Sequence, residues 1–409
     1  MSEMSEKRRI VLGVTGSIAA YKSAELARYF VTRGYEVQVV MTDSAREFIT
    51  PLTFESITGK PVTTGFWEET KPGAIGHIAL ADWADILVVA PASADFLAKL
   101  AHGFSDSALL AVALATKAPI LVAPAMNVNM YDHPQTQDNI EHLRKRGVLI
   151  VDPEDGELAC GWSGKGRLAN HREIFWHTRR ALSPHDLEGR KILISTGPTR
   201  EPIDPVRFIS NRSSGKMGVA LAAEAFRRGA SVTLVHGPIP GPLKVPEAVT
   251  LCPVVTARQM RDVVFSRALP QDGTTPFDVV IMAAAVADYR PESSHQQKVK
   301  KVEAPNSIPI VSNPDILEEL GSTKGESRYP LLVGFAVETG EVDELLMEVR
   351  RKLNQKNADL MVGNLAQDAF DLDTNRVWLV NKSGKEEEVS QNYKSRIAVR
   401  IFDAIGRLF

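Results

Sequence analysis

RKILISTGPTR, residues Arg190–Arg200, begins with two charged residues, continues as an apolar run rich in β-branched residues and contains a glycine–proline turn near its end. This order of residue types is typical of a parallel strand that ends in a loop. The run RIVLGVTG, at Arg9–Gly16, repeats the same order near the start of the chain. Two such openings predict two α/β domains, each with a ligand site at the carboxyl ends of its strands.

The loop that follows the second opening is more specific. Its sequence, PVRFISNRSSGKMG at Pro205–Gly218, brings small, polar and cationic residues together just before a helix predicted over 216–228. Such a loop suits a phosphorylated or carboxylate ligand. The alternative is an ordinary connection between a strand and a helix.

Length and charge narrow the class of protein. A chain of 409 residues is comfortable for two domains. With 48 Lys and Arg against 50 Asp and Glu, the charge balance favours neither nucleic acid nor an acidic membrane as a partner. The two cysteines, Cys160 and Cys252, need no disulfide framework. The first residues lack the apolar core of a signal peptide, and no apolar run approaches the ~20 residues of a membrane helix, so we expect a cytoplasmic protein.

The first half alternates apolar strands with helices, which predicts a doubly wound parallel sheet. A polar linker at 183–189 separates the halves, and we place the domains at 1–185 and 190–409. Gly16 and Ser17 enter a helix predicted to reach Arg33, with Ser17 as its cap and an anion site at its exposed N–H groups. The second strand ends in Thr42–Asp43, where the hydroxyl is as plausible a contact as the acid. A mononucleotide phosphate therefore fits better than a dinucleotide.

Three residues of the first half are candidates for chemistry. His77 stands alone, and a lone histidine is more often structural than catalytic. Asn127 lies in a loop where its amide could hold a carboxylate, or could simply cap a turn or a helix. Cys160 lies among glycines and cations in ACGWSGKGRL, at 159–168, which is typical of a flap that closes over a substrate or of a flexible hairpin.

The second half carries polar residues after its own strands. Asp288 follows the strand predicted at 278–282 and a run of small residues that lets a ligand approach the backbone. Lys298 and Lys300 lie on one face of an extended segment, as a triphosphate site or as a solvated charge run. Lys352 and Lys356 share one face of a helix, where an anionic ligand would relieve their repulsion, although most such pairs are only surface.

These motifs together carry a resemblance. Gly16–Ala19, His77, Pro124–Met130 and the Cys160 flap resemble the flavin-dependent cysteine decarboxylase family. The second half resembles phosphopantothenate–cysteine ligases, and the order of the two halves is similar to the bacterial bifunctional coenzyme A biosynthesis family. One departure is Leu168, where the family would have methionine after the arginine. The implied fold is a pair of Rossmann-like domains with mostly parallel sheets, a flavodoxin-like flavoprotein domain followed by a nucleotide-binding ligase domain.

For the first half, the resemblance implies an FMN-dependent decarboxylase of 4'-phosphopantothenoylcysteine that forms 4'-phosphopantetheine. It implies that His77 acts as base, that Asn127 orients the substrate carboxylate and that Cys160 supplies a proton. It further implies that the FMN phosphate and ribityl chain are held by Gly16, Ser17, Thr42 and Ser93.

For the second half, the resemblance implies that CTP and Mg²⁺ activate 4'-phosphopantothenate as an acyl-cytidylate, which L-cysteine then attacks. Lys298 would support formation of this intermediate, and Arg207 and Asn211 would hold it. Asp288 is the metal candidate. The implied CTP site comprises Ala283, Ala284, Asp288, Lys298, Asn313, Pro314, Asp315, Ile316, Phe335, Lys352 and Lys356.

Two other functions are alternatives for this sequence. A two-domain NAD oxidoreductase would leave the Cys160 flap and the lysines unexplained. A flavoprotein regulator would bind FMN without turnover and would not need the second half. The resemblance also implies a homo-oligomer, since decarboxylase relatives build trimer-based shells and ligase relatives dimerise.

Overall fold

The structure is a computed structural model that describes residues 7–66, 76–157, 161–269, 277–300, 307–369 and 372–409. The chain divides into two compact units, a first unit at Met1–Ser183 and a second unit at Pro184–Phe409. Within the described ranges, no helix combines the length and the apolar character needed to span a membrane.

The first unit is built on a parallel sheet of five strands among its described residues, in the order β2-β1-β3-β4-β5. This is the strand order of flavodoxin-like folds. A separate antiparallel hairpin follows it. The strands are β1 Arg9–Val14, β2 Glu36–Met41, β3 Ile86–Ala92, β4 Ile120–Pro124 and β5 Leu149–Ile150, and the hairpin is β6 Glu154–Glu157 with β7 Ser163–Arg167.

Helices cover both faces of this sheet, as expected for a parallel sheet. Ile10 and Leu12 of β1 pack into one buried cluster, whereas Val11 between them packs into another. The continuous apolar strands of the sequence follow from this double burial. The helices are α1 Ala20–Val31, α2 Asp43–Arg46, α3 Pro51–Thr58, α4 Gly76–Trp83, α5 Ala94–His102, α6 Ala108–Ala115, α7 Val128–Tyr131, α8 Pro134–Lys145 and α9 His171–Ala181.

The second unit is built on an eight-stranded sheet among its described residues, in the order β12-β11-β8-β13-β16-β17-β18-β19. Its first six positions follow the doubly wound dinucleotide-binding order, and the last two strands add an antiparallel edge. The strands are β8 Lys191–Thr196, β11 Ser231–His236, β12 Thr250–Pro253, β13 Val279–Met282, β16 Leu331–Glu338, β17 Leu360–Leu365, β18 Thr374–Asn381 and β19 Glu386–Tyr393.

Two short antiparallel ribbons and six helices complete the described part of the second unit. The ribbons are β9 Arg200–Pro202 with β10 Phe208–Ser210, and β14 Tyr289–Pro291 with β15 Ile310–Ser312. The helices are α10 Lys216–Arg227, α11 Ala257–Ala268, α12 Ile316–Lys324, α13 Val342–Gln355, α14 Ala366–Ala369 and α15 Lys394–Gly406.

The predicted fold class is confirmed, because both units are α/β and their main sheets are mostly parallel. The predicted cap at Ser17 is wrong. The first helix begins at Ala20, and Ala19 occupies the cap position without a side-chain hydrogen bond. Ser17 instead accepts a hydrogen bond from the Ala19 N–H through its Oγ, at 3.3 Å, because the chain makes an extra turn before the helix.

A buried charge cluster fixes the start of the second unit to its helices. The Arg228 side chain is only 5% exposed. It donates to Glu224 of α10 at 2.8 Å, to Asp186 of the linker at 2.9 Å and to Asp403 of α15 at 2.5 Å. Loss of the Arg228 guanidinium would leave Asp186 and Asp403 without this donor, whereas the buried Glu224 would keep two hydrogen bonds from Arg227.

Replacing Arg228 with methionine is expected to destabilise the second unit by about 1.5–3 kcal/mol, the usual worth of hydrogen bonds to charged groups. Calorimetry of the full chain would check this. The unfolding temperature of the second unit is expected to fall, while that of the first unit is expected to stay unchanged. Arg350→Met removes a half-exposed arginine that makes two hydrogen bonds to Glu386. This control is expected to leave both transitions nearly unchanged; equal shifts for the two variants would contradict the buried-cluster explanation.

Candidate functional site

In the first unit, the loops after β1 and β3 meet where the strand order reverses. Thr15 Oγ1 donates to the Pro91 carbonyl at 2.8 Å and accepts from the Ser93 N–H at 2.9 Å. Ligands of open α/β sheets bind outside the carboxyl ends of the strands at this switch point. The geometry therefore predicts a site next to Ser93.

A cavity of about 740 Å³ opens at this position. Its size lies within the range of small-molecule and cofactor sites. Apolar side chains form much of its wall, and hydroxyl, amide and cationic groups form the rest. The described residues that line it are Gly16, Ser17, Ile18, Ala19, Tyr21, Lys22, Ser93, Ala94, Ala125, Met126, Asn127, Met130, Glu157, Gly166, Arg167 and Leu168.

One end of the cavity is suited to a phosphate. Among the described residues, the backbone N–H groups of Gly16, Ser17 and Ile18 have no hydrogen-bond acceptor, and they lie just before α1. A Cβ at Gly16 would come within 2.5 Å of the Ser44 Cβ, so only glycine lets the loop after β1 approach α2 this closely. Unpaired N–H groups ahead of a helix bind anions. Together with the apolar wall, this end fits a flavin mononucleotide.

The β6–β7 hairpin forms another wall of the cavity. The Met126 N–H donates to the Gly166 carbonyl at 3.0 Å, and Gly166 has a φ of +155°. Leu168 is 3% exposed and packs into the core while lining the cavity. Cys160, the residue predicted to donate a proton, lies outside the described residues.

The structure brings some of the predicted first-unit residues together and leaves others apart. Gly16, Ser17, Ser93 and Asn127 all line the cavity, whereas Thr42 and His77 are not among its described lining residues. Ser93 also caps α5, and Asn127 caps α7 by accepting the Asn129 N–H at 2.8 Å, which makes the amide NH₂ its donor end.

Thr42 and His77 have other surroundings. Thr42 caps α2 by accepting the Ala45 N–H at 3.3 Å. His77 lies near the start of α4, with its ring edge-on to Phe66 at a centroid distance of 5.5 Å. Its Nδ1 is buried and has no hydrogen-bond partner among the described residues. A buried ring nitrogen without a partner is unusual and suits a group that binds a ligand.

In the second unit, the switch point lies between β8 and β13. The loop after β13 runs along the loop after β8 through several backbone hydrogen bonds. The Ala283 N–H donates to the Ser195 carbonyl at 3.2 Å, and the Ala284 N–H donates to Ser195 Oγ at 3.2 Å. Ala283 and Ala284 therefore lie at the edge where this sheet order binds nucleotides.

A first group of predicted residues, here called the ribbon cluster, comprises Arg207, Asn211 and Lys298. Asn211 donates through Nδ2 to the Val286 carbonyl at 2.9 Å. The Arg207 guanidinium donates to the Val299 carbonyl at 3.1 Å, next to the exposed Lys298. The β9–β10 ribbon thus contacts both the loop after β13 and residues 295–300, here called the lysine segment.

A second group, here called the nucleotide cluster, comprises Asp288, Asn313–Ile316, Phe335, Lys352 and Lys356. The Asn313 N–H donates to the Asp288 carbonyl at 2.8 Å. Asp315 caps α12, and its other carboxylate oxygen lies 2.7 Å from the Lys356 Nζ. Phe335 lies half-buried in β16.

Lys352 and Lys356, whose repulsion we expected an anionic ligand to relieve, each have carboxylate partners in the structure. Lys352 pairs with Glu338 at 2.9 Å and with Glu348 at 3.3 Å, while Lys356 pairs with Asp315. Hydrogen bonds from Arg351, and then from Lys352, lower the pKa of Glu348 to about 2. Carboxylates already neutralise both lysines, so a nucleotide would have to compete with them.

The described side chains offer few ligands for a metal ion. Within the described ranges, no three His, Cys, Asp or Glu side chains form a group that could hold a metal ion. Asp288 is exposed and carries a single carboxylate at the strand-end loop. Mg²⁺ commonly binds through one or two carboxylates together with substrate phosphates, so Asp288 fits a metal that arrives with a nucleotide.

Asp204 is a residue of this region that was not predicted from the sequence. Its side chain is fully buried beside Arg207 and accepts hydrogen bonds from the turn and from Val299. The run Ile-Asp-Pro-Val-Arg at 203–207 is typical of a turn in which an aspartate binds the backbone that follows it. That signal could have identified Asp204.

Comparison with known families matches nearly the whole chain. Residues 1–183 match the family described as Flavoprotein. Residues 187–408 match the family described as the DNA/pantothenate metabolism flavoprotein C-terminal domain.

Individual relatives match along their full length. The chain is 42% identical to the Coenzyme A biosynthesis bifunctional protein CoaBC of Vibrio vulnificus over 406 residues, which cover 98% of both chains. It is 41% identical to the protein of the same name from Mycobacterium tuberculosis over 410 residues, covering 97% of this chain and 96% of the relative. A crystal structure of a CoaBC C-terminal domain is 38% identical, with a TM-score of 0.45, and covers 55% of this chain and 97% of its own.

Proposed function

This chain belongs to the family of bifunctional coenzyme A biosynthesis proteins, and we propose that its second unit makes the substrate of its first. The second unit couples 4'-phosphopantothenate to L-cysteine with CTP. The first unit decarboxylates the resulting 4'-phosphopantothenoylcysteine to 4'-phosphopantetheine. The resemblance based on Gly16–Ala19, His77, Pro124–Met130, the Cys160 flap and the second half is confirmed at the level of the family.

The ligation needs an activated carboxylate, because hydroxide is a poor leaving group. Transfer of a cytidylyl group from CTP forms a mixed anhydride and releases pyrophosphate. The cysteine amine then attacks the acyl carbon, the amide bond forms and CMP leaves. Positive charge stabilises the phosphates in both steps.

The two clusters of the second unit suit the two ends of this reaction. The nucleotide cluster, with Lys352 and Lys356, would hold CTP, and Asp288 would bind Mg²⁺ that arrives with it. In the ribbon cluster, Lys298 would stabilise the forming acyl-cytidylate, and Arg207 and Asn211 would hold it for attack. Asn211 bonds to Val286, and Asn313 bonds to Ala287 and Asp288 of the same loop.

That shared loop is the observation that carries the ligase proposal. Within residues 283–288, the Val286 carbonyl accepts from Asn211 of the ribbon cluster and the Ala287 carbonyl accepts from Asn313 of the nucleotide cluster, at the switch point of the sheet. A substrate carboxylate and a nucleotide α-phosphate brought together there would react with little loss of freedom, which is a large part of catalysis between two substrates.

Decarboxylation in the first unit poses a different problem. The cysteine nitrogen of the substrate is already an amide, so it cannot form an imine with pyridoxal phosphate. FMN bound in the cavity would supply reversible hydride transfer at the carbon that bears sulfur. The unpaired N–H groups of Gly16, Ser17 and Ile18 and the Ser93 hydroxyl would hold the FMN phosphate and ribityl chain, with Thr42 nearby at the end of β2.

The remaining residues of the first unit would bind the substrate and move protons. Asn127 would donate from its NH₂ group to the substrate carboxylate, since its Oδ1 already accepts from Asn129. His77 would act as the base. Cys160 would return a proton when the enethiol is reduced, because a thiol with an ordinary pKa of ~8.5 is protonated at neutral pH.

Cys160→Ser tests these roles. A serine hydroxyl is a far weaker acid than a thiol, so this variant is expected to release carbon dioxide and then to accumulate the enethiol. His77→Asn is expected to stop the reaction before carbon dioxide is lost. Mass analysis of anaerobic single-turnover products, with carbon dioxide measured in parallel, separates the two variants. Wild-type formation of 4'-phosphopantetheine by Cys160→Ser would remove Cys160 from the mechanism.

The proposal also includes a homo-oligomer in the cytoplasm and a requirement for Mg²⁺. Sedimentation of the purified chain would check the assembly. Removal of Mg²⁺ with a chelator is expected to stop ligation and to spare decarboxylation.

A further inference from the structure

Asp204 lies in the turn between β9 and β10, and its side chain is fully buried. One carboxylate oxygen, Oδ1, accepts hydrogen bonds from the Val206 N–H at 2.9 Å and the Arg207 N–H at 2.8 Å. These two bonds close the turn on itself. An aspartate that binds the backbone two and three residues ahead is a common turn device.

The other oxygen, Oδ2, makes contacts outside the turn backbone. It accepts from the Arg207 Nε at 2.9 Å and Nη2 at 2.5 Å, and from the Val299 N–H at 3.3 Å. The hydrogen bonds from the Arg207 guanidinium hold the pKa of the Asp204 carboxyl well below its usual range. Asp204 is therefore ionised at any pH at which the protein would work.

Several bonds join this turn to the lysine segment. The Arg207 Nη2 donates to the Val299 carbonyl at 3.1 Å, and the His295 N–H donates to the Ile203 carbonyl at 2.9 Å. Val299 thus has its N–H and its carbonyl both held by the Asp204–Arg207 pair. Lys298 and Lys300 flank Val299, so their backbone positions are fixed relative to Arg207.

We propose that Asp204 is a positioning residue for ligation, which fixes the Arg207 guanidinium and the Lys298 backbone relative to each other. The inference rests on the proposed ligase function. A charge-assisted hydrogen bond to a buried carboxylate restricts a guanidinium strongly. An arginine and a lysine from distant parts of the sequence would then reach the substrate without first being ordered by it.

Asp204→Asn tests the roles of the two carboxylate oxygens separately. The asparagine oxygen can replace Oδ1 and keep the turn, whereas its NH₂ group at the place of Oδ2 faces three donors and cannot accept from them. The variant is expected to lower kcat for ligation by about 10- to 100-fold. Since the nucleotide cluster is untouched, KM for CTP is expected to change by less than about threefold.

A matched control is Asp278→Asn. Asp278 also pairs with an arginine, Arg190 at 2.8 Å, and binds the Lys191 N–H, but it lies at the amino-terminal edge of the eight-stranded sheet. Its variant is expected to ligate at the wild-type rate. Hydrogen exchange of a peptide covering 295–300 gives a second readout, because exchange is expected to accelerate in Asp204→Asn and not in Asp278→Asn.

The outcomes are distinct. A folded Asp204→Asn with wild-type kcat, or with a raised KM for CTP and unchanged kcat, overturns the inference. If Asp204→Asn fails to fold, Asp204→Ser replaces it, since a serine hydroxyl can accept the turn bonds while lacking Oδ2. If the wild-type chain does not ligate at all, the proposed function fails, and the exchange measurement still decides whether Asp204 holds the segment.

Discussion

Asn211→Asp is expected to lower ligation by about 100-fold or more and to leave decarboxylation unchanged. The Asn211 amide donates to the Val286 carbonyl, so an aspartate places a carboxylate against a carbonyl oxygen and pushes the 283–288 loop away. The new negative charge would also repel the phosphate of the acyl-cytidylate. Both effects act on the ligation site alone, because Asn211 belongs to the second unit.

The measurement is a pair of assays on one preparation, ligation with CTP and decarboxylation of supplied 4'-phosphopantothenoylcysteine. Asn381→Asp adds the same charge at the half-buried last residue of β18, where the Asn381 Oδ1 accepts from the Ser383 and Lys385 N–H groups. This control is expected to keep both activities. If Asn211→Asp lost decarboxylation as severely as ligation, the two sites could not be independent.

Gly166→Ala is expected to produce the opposite pattern. A Cβ at Gly166 would lie 2.3 Å from the Met126 carbonyl oxygen, a backbone atom that cannot move aside cheaply. The hairpin would shift, the hydrogen bond from the Met126 N–H would break, and the neighbouring Arg167 and Leu168 would leave the cavity wall. We expect decarboxylation to fall by about 10- to 100-fold with ligation unchanged.

Gly34→Ala is the matched control for this variant. Gly34 also has a positive φ, +85°, but a Cβ there would meet no atom within 4 Å. Gly34→Ala therefore introduces backbone strain at a positive φ but no collision between the new Cβ and another atom. Flavin absorbance and decarboxylation measured on both variants separate the two causes, and equal losses would attribute the Gly166→Ala effect to strain rather than to the hairpin's packing.

The parallel strands could be predicted from the sequence because both of their faces are buried, which leaves continuous apolar runs such as Ile192–Ile194. Strand β19, Glu386–Tyr393, could not. Of its eight residues only Val389 is buried, because the strand lies at an edge of the sheet and faces solvent. Its acidic composition hides the alternation that identifies a half-buried strand.

The site was predictable where it depends on a local motif and not where it depends on distant partners. The Gly16–Ser17 loop after β1 and the Asn127 loop after β4 line one cavity, because the carboxyl ends of parallel strands meet at the same edge of the sheet. Asp315 neutralises Lys356, which lies 41 residues later in the sequence (356 minus 315). No local sequence pattern indicates this pairing. Asp204 and Val299 are farther apart still, so their contact appears only in the folded chain.

The most direct test of the account is whether the purified full chain converts 4'-phosphopantothenate, L-cysteine and CTP into 4'-phosphopantetheine. With Mg²⁺ and bound FMN, the account predicts equal amounts of 4'-phosphopantetheine, carbon dioxide, CMP and pyrophosphate, and no product when CTP is omitted. Mass spectrometry of the reaction mixture with isotope-labelled cysteine measures all of these. Product without CTP, or consumption of CTP with no cysteine incorporated, would contradict the claim that this chain carries both reactions.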